Sequence, residues 1–336
     1  MKWMSLSPRT WWATLAVAVS LAGQAQALAD SERHRVLVAL PAVQALTAAL
    51  SKGTAIEVGR VPADAAVPME SQANALSRLD PSVFQQADAV VTLSSLWRAD
   101  PLFAAARRHN LRIVEIDASR SWDPVKPGVA RISTPPNDVP WAASEEGTRL
   151  SGPSPFAWLG PINAMRMSTL IAADLARLSP ADAPRIASNL TAQEGRLRQL
   201  KADYGARLAG LPDLRVLSLA NEFIYLFGEF DIFADGWFVR QDLEWTDADR
   251  SALTRYLRDR DIRVVVHKWA PDASIVKAIE DGGARLLVLD AGNPGVLADA
   301  SKDYETLLRS NLDAVLAAFA TTGQDPTNSA KPAPAR

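Results

Sequence analysis

Three side chains that can bind a divalent cation follow or end predicted strands in the second half of the sequence. Glu222 lies just after one strand, His267 ends the next, and Asp290 ends a third. Residues at the carboxyl ends of neighbouring parallel strands converge on one crevice. Imidazole and carboxylate groups suit zinc or manganese, with water completing the coordination shell. The sequence therefore predicts a cation site formed by Glu222, His267 and Asp290.

A structural role for the same three residues stays open. Glu222 can cap or pair locally, His267 can be a hydrogen-bonded residue at a strand end, and Asp290 can form an ion pair with Lys268 or an arginine. Lys268 also opposes cation binding if its ammonium group points inward, because like charges repel.

The elements that would position these residues alternate between short apolar runs and helical patterns. Such alternation predicts an α/β fold in which helices cover both faces of parallel sheets. The predicted strands are Arg35–Leu40, Ile56–Arg60, Asp88–Leu93, Leu111–Ile116, Leu214–Leu219, Ile232–Val239, Ile262–His267 and Arg285–Asp290. Because the second half repeats the scheme of the first, we expect two similar lobes.

A long helical region is predicted between the two sets of strands. Apolar residues recur there at helical spacing, and Ser179-Pro180 interrupts the pattern before a second helix begins near Ala183. A further helix is predicted to start at Thr246, and the Pro- and Ser-rich segment from Thr134 to Pro155 is predicted to be a surface loop. The predicted domains are residues 30–160, a linking helix at 161–182, and residues 183–320.

The two ends of the chain are predicted to lie outside the fold. Residues 1–29 have the pattern of a cleaved secretory signal peptide, with Lys2 and Arg9 before an uncharged apolar run and small residues at the cleavage site. Residues 321–336 are predicted to be disordered. The chain contains no cysteine, which excludes disulfides and thiolate ligands. We therefore expect a periplasmic protein without a lipid anchor.

The composition limits the classes of function. The 36 basic and 38 acidic residues are well mixed, so no basic surface for nucleic acid is predicted. The order of residues shows no Ser-His-Asp arrangement and no glycine-rich phosphate loop, and we expect a protein that is not an enzyme. We expect the partners to be small molecules or proteins. We also expect the protein to be a monomer.

Several segments together resemble the cluster A-I receptors, the substrate-binding proteins of zinc/manganese ABC importers. The stretch from Pro155 to Pro161 reads PFAWLGP where that family has Pro-His-x-Trp-Leu-Asp-Pro. The similarity continues through Leu219–Tyr225, the strand that ends at Asp290, and a closing helix with Tyr304 and Asn311. The resemblance implies two Rossmann-like lobes joined by one long helix, with zinc or manganese carried in the cleft as cargo for a membrane ABC permease.

The resemblance also assigns four ligand positions, most of which hold other residue types here. The first family histidine falls near Gln72, the second on Phe156 and the third on Ala220, whereas the final acid is retained as Asp290. The loop that is often histidine-rich in zinc members has no histidine here. With the residues of the second lobe, the candidate metal ligands are Gln72, Glu222, His267 and Asp290.

Three functions remain open from the sequence. The first is a receptor for a divalent metal ion or a metal complex, and the second is a receptor fold that has lost its cargo and binds another periplasmic protein. The third is a receptor for an organic ligand stacked on aromatic side chains. The aromatic candidates are Trp97, Trp158, Trp237, Trp245, Trp269, Phe156, Tyr225 and Phe238.

Overall fold

The computed structural model describes residues 33–63, 67–142 and 152–320 of the 336-residue chain. The predicted signal peptide, the predicted disordered tail and residues 143–151 of the predicted surface loop lie outside the described residues. In the part of the chain that is described, no helix is both long and apolar enough to cross a membrane.

Two four-stranded parallel sheets form the centres of two lobes. The strands are β1 (His34–Val38), β2 (Ile56–Arg60), β3 (Ala89–Thr92), β4 (Val114–Asp117), β5 (Arg215–Ser218), β6 (Phe233–Trp237), β7 (Val264–His267) and β8 (Arg285–Val288). Their spatial orders are β2-β1-β3-β4 and β6-β5-β7-β8, so the second lobe repeats the topology of the first. The predicted two-lobed α/β fold is confirmed, and all eight predicted strands are present.

Helices connect the strands and pack on the sheets. The helices are α1 (Pro41–Leu50), α2 (Gln72–Ser77), α3 (Ser82–Gln85), α4 (Leu102–Arg107), α5 (Pro161–Leu178), α6 (Ala183–Ala209), α7 (Ile224–Glu229), α8 (Asp247–Arg260), α9 (Ala273–Asp281) and α10 (Tyr304–Ala320). Helix α1 connects β1 to β2. It begins directly at the carboxyl end of β1 with a proline, whose fixed φ suits the first turn of a helix.

The linking region contains two helices, α5 and α6, which pack along each other. A short 3₁₀ helix at Pro180–Asp182 separates them, as the Ser179-Pro180 break predicts. Helix α5 buries the stripe that includes Met167, Ile171 and Leu175, because those residues share one face at helical spacing. The domain boundaries at residues 160 and 183 stay a prediction.

One continuous hydrophobic core joins both lobes through these helices. It runs from the inner face of the first sheet, through α5 and α6, to the inner face of the second sheet and α10. Trp158, which is fully buried, lies within it. Each sheet also packs a smaller hydrophobic cluster on its outer side. A shared core of this kind resists free movement of the lobes because interiors pack densely.

The first turn of α5 is capped by a side chain from the second lobe. Gly160 is the N-cap residue and has no side chain with which to accept a hydrogen bond. The Glu229 carboxylate at the end of α7 accepts instead, from the N–H groups of Ile162 (2.9 Å) and Asn163 (3.4 Å). A Cβ atom at Gly160 would lie 2.3 Å from Glu229 Oε1, so the glycine makes this contact possible. A carboxylate at a helix N-terminus is favourable.

The predicted start of α8 at Thr246 is confirmed. The Thr246 hydroxyl accepts from the N–H of Asp249, and the Asp249 carboxylate accepts from the N–H of Thr246. This reciprocal pair is a capping box, which gives Asp249 of the first turn a structural role.

Part of the segment predicted as a surface loop packs into the second lobe. Asn137 and Asp138 accept hydrogen bonds from the N–H groups of Val239 and Trp237, both at 2.7 Å. Val139 is fully buried against the outer side of the second sheet. The prediction of a surface location was wrong for this part, because these hydrogen bonds to β6 and its end draw the chain onto the lobe.

Candidate functional site

Gln72, the first position assigned by the resemblance, begins α2 in the first lobe and is buried. Its side-chain Nε2 donates to the carbonyl of Val67 at 3.1 Å and to that of Ala39 at 3.4 Å. Its Oε1 atom is buried without a hydrogen-bond partner in the described part of the chain. Gln72 therefore ties α2 to the end of β1 and leaves one oxygen acceptor available.

Asp290, the retained acid, follows β8 and holds the loop after it. Its Oδ1 accepts from the N–H of Gly292 at 2.7 Å, and its Oδ2 accepts from the N–H of Val296 at 2.6 Å. A Cβ atom at Gly295 would lie 1.8 Å from Oδ1. Each carboxylate oxygen therefore accepts a hydrogen bond from the backbone, which is a structural use of the acid.

Glu222 lies just after β5 and is buried, with its carboxylate directed at Lys268. The Lys268 ammonium group donates a hydrogen bond to Glu222 Oε1, whereas Oε2 is buried and has no partner among the described residues. The ammonium group thus points inward, where it opposes a bound cation. Lys268 Nζ also lies 4.9 Å from the centre of the Trp269 ring.

His267 ends β7 and is buried. Its Nδ1 accepts from the N–H of Lys268 at 2.8 Å, so the proton of the neutral ring is on Nε2. A metal at Nε2 would require that proton to move to Nδ1, which would break the hydrogen bond. Burial lowers the pKa of the imidazole to about 4; Asp242 raises it and Lys268 lowers it.

The four candidate ligands stay a prediction as a cation site, and the structure places each of them in contacts within the protein. Within residues 33–63, 67–142 and 152–320, no three His, Asp or Glu side chains are arranged to hold a metal ion. Asp290 accepts from backbone N–H groups, Glu222 is paired with Lys268, and His267 accepts from the backbone, so each of the three already has a structural partner. The sequence identifies the side chains that could bind a metal, but it does not show which hydrogen bonds and ion pairs those side chains already form.

Apolar residues fill the two other positions assigned by the resemblance. Ala220 is fully buried, and Phe156 contacts Trp158 edge-on with ring centres 5.2 Å apart. The indole N–H of Trp158 donates to the carbonyl of Ala291 at 2.9 Å, next to Asp290. The hydroxyl of Tyr304 donates to the carbonyl of Trp158. Packing here joins the linking region to the loop after β8.

The aromatic residues proposed for stacking divide into two groups. Six belong to the buried core: Trp158, Trp237, Trp245, Phe156, Tyr225 and Phe238. Trp97 is partly buried, and Trp269 exposes 37% of its surface. Trp269 lies over His267 with ring centres 4.6 Å apart, and its indole N–H donates to Asp242. Trp97 and Trp269 are the aromatic candidates that keep accessible surface.

Arg60, which the sequence analysis did not single out, bridges the lobes. It ends β2 in the first lobe, and its guanidinium donates to the carbonyls of Leu297 (3.1 Å) and Ala298 (2.9 Å) in the second. Nearby, the N–H of Met69 donates to Asn293 Oδ1 at 2.8 Å. The sequence does show a basic residue at the carboxyl end of a predicted strand. It does not show that Arg60 bridges the lobes, because every residue type has a backbone carbonyl and the partners therefore cannot be identified from the sequence.

Solved structures with the same fold include metal-binding proteins. A zinc-bound deletion mutant of ZnuA superposes with a TM-score of 0.61 at 19% identity, covering 86% of this chain and 98% of that chain. A mutant of FpvC from Pseudomonas aeruginosa gives a TM-score of 0.66 at 21% identity, with coverages of 85% and 99%. FpvC in complex with Mn²⁺ gives 0.64 at 20%, with coverages of 87% and 100%. At sequence identities of 19 to 21%, these superpositions establish that the fold is shared.

The family itself follows from the sequence match. The comparison with curated proteins gives no match. However, the family described as "Zinc-uptake complex component A periplasmic" (ZnuA) matches residues 69–318, more than half of the chain. This match confirms the resemblance to the receptors of metal importers, and the protein belongs to the ZnuA family.

Proposed function

We propose that the protein is a periplasmic solute-binding protein that delivers a metal complex to an ABC permease. The metal is a divalent ion of the zinc or manganese type, and an organic carrier supplies most of its ligands. Family membership supports the transport role, since members of this family are transport components and not enzymes. Neighbours of the same fold were solved with zinc or Mn²⁺ bound.

One observation carries the choice of a complex over a bare ion. At the four positions that the resemblance assigns to ligands, the chain has an amide, a phenyl ring, a methyl group and one carboxylate. Both oxygens of that carboxylate, Asp290, accept hydrogen bonds from backbone N–H groups. A bare cation would find only this one carboxylate and would still lack ligands, because zinc takes four and manganese commonly six.

A metal complex needs different contacts from the protein. It brings its own ligand atoms and presents an outer surface of polar groups and rings. Trp269 is 37% exposed beside Lys268, and such a pair suits a flat or anionic carrier.

The decisive experiment is mass spectrometry under native conditions on protein expressed with its leader and purified from periplasm. We expect an added mass that a divalent metal plus an organic molecule accounts for, and elemental analysis should give one metal per protein. An added mass equal to a metal ion alone would contradict the complex. If neither metal nor small molecule is present and a stable non-permease protein copurifies, the protein is an interaction module and the proposal fails.

A further inference from the structure

A polar groove of about 410 Å³ lies where the two lobes meet beside the linking helices. Its walls are one face of α1, the end of β2, one face of α6, and the segment between residues 297 and 303 that leads into α10. We call it the junction groove. None of the four candidate metal ligands lines it, so it is distinct from the positions discussed above. Its volume is within the range of small-molecule sites.

The lining of the junction groove is strongly basic. Lys52, Arg60, Arg196 and Lys302 line it, against a single carboxylate, Asp303. The protein as a whole carries a formal net charge of −2, so this concentration of positive charge is local. Alanines of α1 and α6 contribute to the walls, and their small side chains leave the space between the cations open. A concave surface with an excess of positive charge attracts anions.

Arg60 differs from the exposed lysines of the groove because its guanidinium is partly buried. Within the described part of the chain, this guanidinium donates to uncharged acceptors: Gln44 Oε1 at 2.8 Å and the carbonyls of Leu297 and Ala298. Among the described residues, no carboxylate lies within ion-pair distance of it. Burial lowers the pKa of Arg60, and Asp299 opposes that effect from a longer distance.

The remaining cations are placed to complete an anion site. Arg196 donates through Nε to Glu305 at 2.8 Å and keeps its other N–H groups. Lys52 and Lys302 are exposed, and neither ammonium group forms an ion pair within the described part of the chain. Both can therefore turn toward an anion in the groove without breaking an existing bond.

We propose that the junction groove binds a compact multivalent oxyanion through phosphate or carboxylate oxygens. Arg60 is the buried charge at its base, and Lys52 and Lys302 close over the ligand from the first and second lobes. Charge-assisted hydrogen bonds to a guanidinium are among the stronger polar contacts in proteins. Since the walls come from both lobes, the bound anion adds contacts across the junction and stabilises the observed arrangement of the lobes.

The test is thermal unfolding of the mature protein titrated with sodium phosphate or sodium citrate, against sodium chloride at matched ionic strength. We expect a saturable rise in Tm with at least one of the two probes and none with chloride, because binding to the folded state alone stabilises it. A response to phosphate alone assigns phosphate chemistry, and a response to citrate alone assigns polycarboxylate chemistry.

Variants separate the groove from the overall charge. The double variant Lys52→Ala/Lys302→Ala should raise the apparent Kd about tenfold or more. The matched control Arg112→Ala/Lys126→Ala removes two exposed cations elsewhere and should leave the Kd unchanged. Equal responses in phosphate, citrate and chloride, or equal losses in both double variants, would overturn the proposal. No metal enters this test, so its outcome is independent of the proposed cargo.

Discussion

The ammonium group of Lys268 donates a hydrogen bond to the buried carboxylate of Glu222. Lys268 is the residue that directly follows His267 at the end of β7. The crevice for which sequence predicts a metal cation thus already contains a cation that belongs to the protein. The pair also explains how an acid can be buried after β5 without a metal, since a buried charge requires a partner.

Removal of the lysine alone should therefore be costly. We expect Lys268→Ala to lower the free energy of unfolding by about 3 kcal/mol, because it leaves the Glu222 carboxylate buried without its counter-charge. Adding Glu222→Gln should recover much of that loss. Denaturant unfolding of the two single variants and the double variant measures the coupling between the residues.

An exposed ion pair provides the control for this cycle. Lys277→Ala removes the partner of Asp281, four residues along α9, and should cost about 0.5 kcal/mol or less. If Lys268→Ala costs no more than Lys277→Ala, the buried pair does not have the importance assigned to it.

The depressed pKa of His267 predicts a dependence of stability on pH. The ordinary value is 6.5 and the value in the fold is about 4, so between these values the unfolded chain takes up a proton that the folded chain does not. Stability should fall as the pH drops from 6.5 toward 4, by at most about 1.4 kcal/mol per pH unit from this residue. His267→Gln should remove that contribution, as measured by unfolding at several pH values.

Asp100 provides a contribution of the opposite sign in an overlapping window. Burial raises its pKa from 3.8 to about 6, so the folded chain binds the proton more tightly and stability falls as the pH rises from 3.8 to 6. Asp100→Asn should therefore steepen the loss of stability on acidification, whereas His267→Gln should reduce it. If both variants change the slope in the same direction, one of the two assignments is wrong.

A pair of glycine variants tests the loop that encloses Asp290. Gly295 and Gly152 both have positive φ, at +57° and +76°, but only Gly295 is packed against a side chain, that of Asp290. Gly295→Ala should cost at least about 2 kcal/mol more than Gly152→Ala, because it also displaces Asp290 from its two N–H donors. Denaturant midpoints compare the two; equal losses would mean that the carboxylate adds little to the loop.

Bare metal ions should not stabilise the protein. A ligand at about a thousand times its Kd adds ~4 kcal/mol to the free energy of unfolding. After chelator treatment, we expect zinc, manganese and ferrous iron each to leave Tm unchanged, since the retained acid is occupied and Phe156 and Ala220 provide no ligand. A chelator-reversible rise with one metal, lost in Glu222→Ala/His267→Ala, would restore the site predicted from the sequence.

Trp269 should contribute to retention of the cargo. Its ring is 37% exposed beside Lys268, whereas the 71% exposed Trp122 is stacked by Arg177 on α5. Trp269→Ala should reduce the amount of copurifying organic molecule and metal per protein severalfold, with Trp122→Ala as the matched control. Mass spectrometry and elemental analysis of both variants measure this; equal retention in both would exclude Trp269 from the site.

The fold was largely predictable because its signals are local. The apolar runs of the eight strands and the stripe of α5 each appear within a short stretch of sequence. Val139 was missed because a single apolar residue in a Pro- and Ser-rich segment has no periodicity. The site was less predictable because the hydrogen-bond partners of its side chains come from distant parts of the sequence. Arg60 donates to carbonyls that lie 237 and 238 residues further along the chain. Likewise, the residue type of Asp290 does not indicate that backbone N–H groups donate to its carboxylate.

The cap on α5 has a consequence for the evolution of this family. The family pattern has an aspartate at the position of Gly160, whereas here the carboxylate comes from Glu229 on another element. The two solutions compete for the same space, because a Cβ atom at residue 160 would lie 2.3 Å from Glu229 Oε1 and the Glu229 carboxylate would have to move. Among relatives, these two positions should therefore covary: glycine with glutamate, or aspartate with a residue that leaves the helix terminus free.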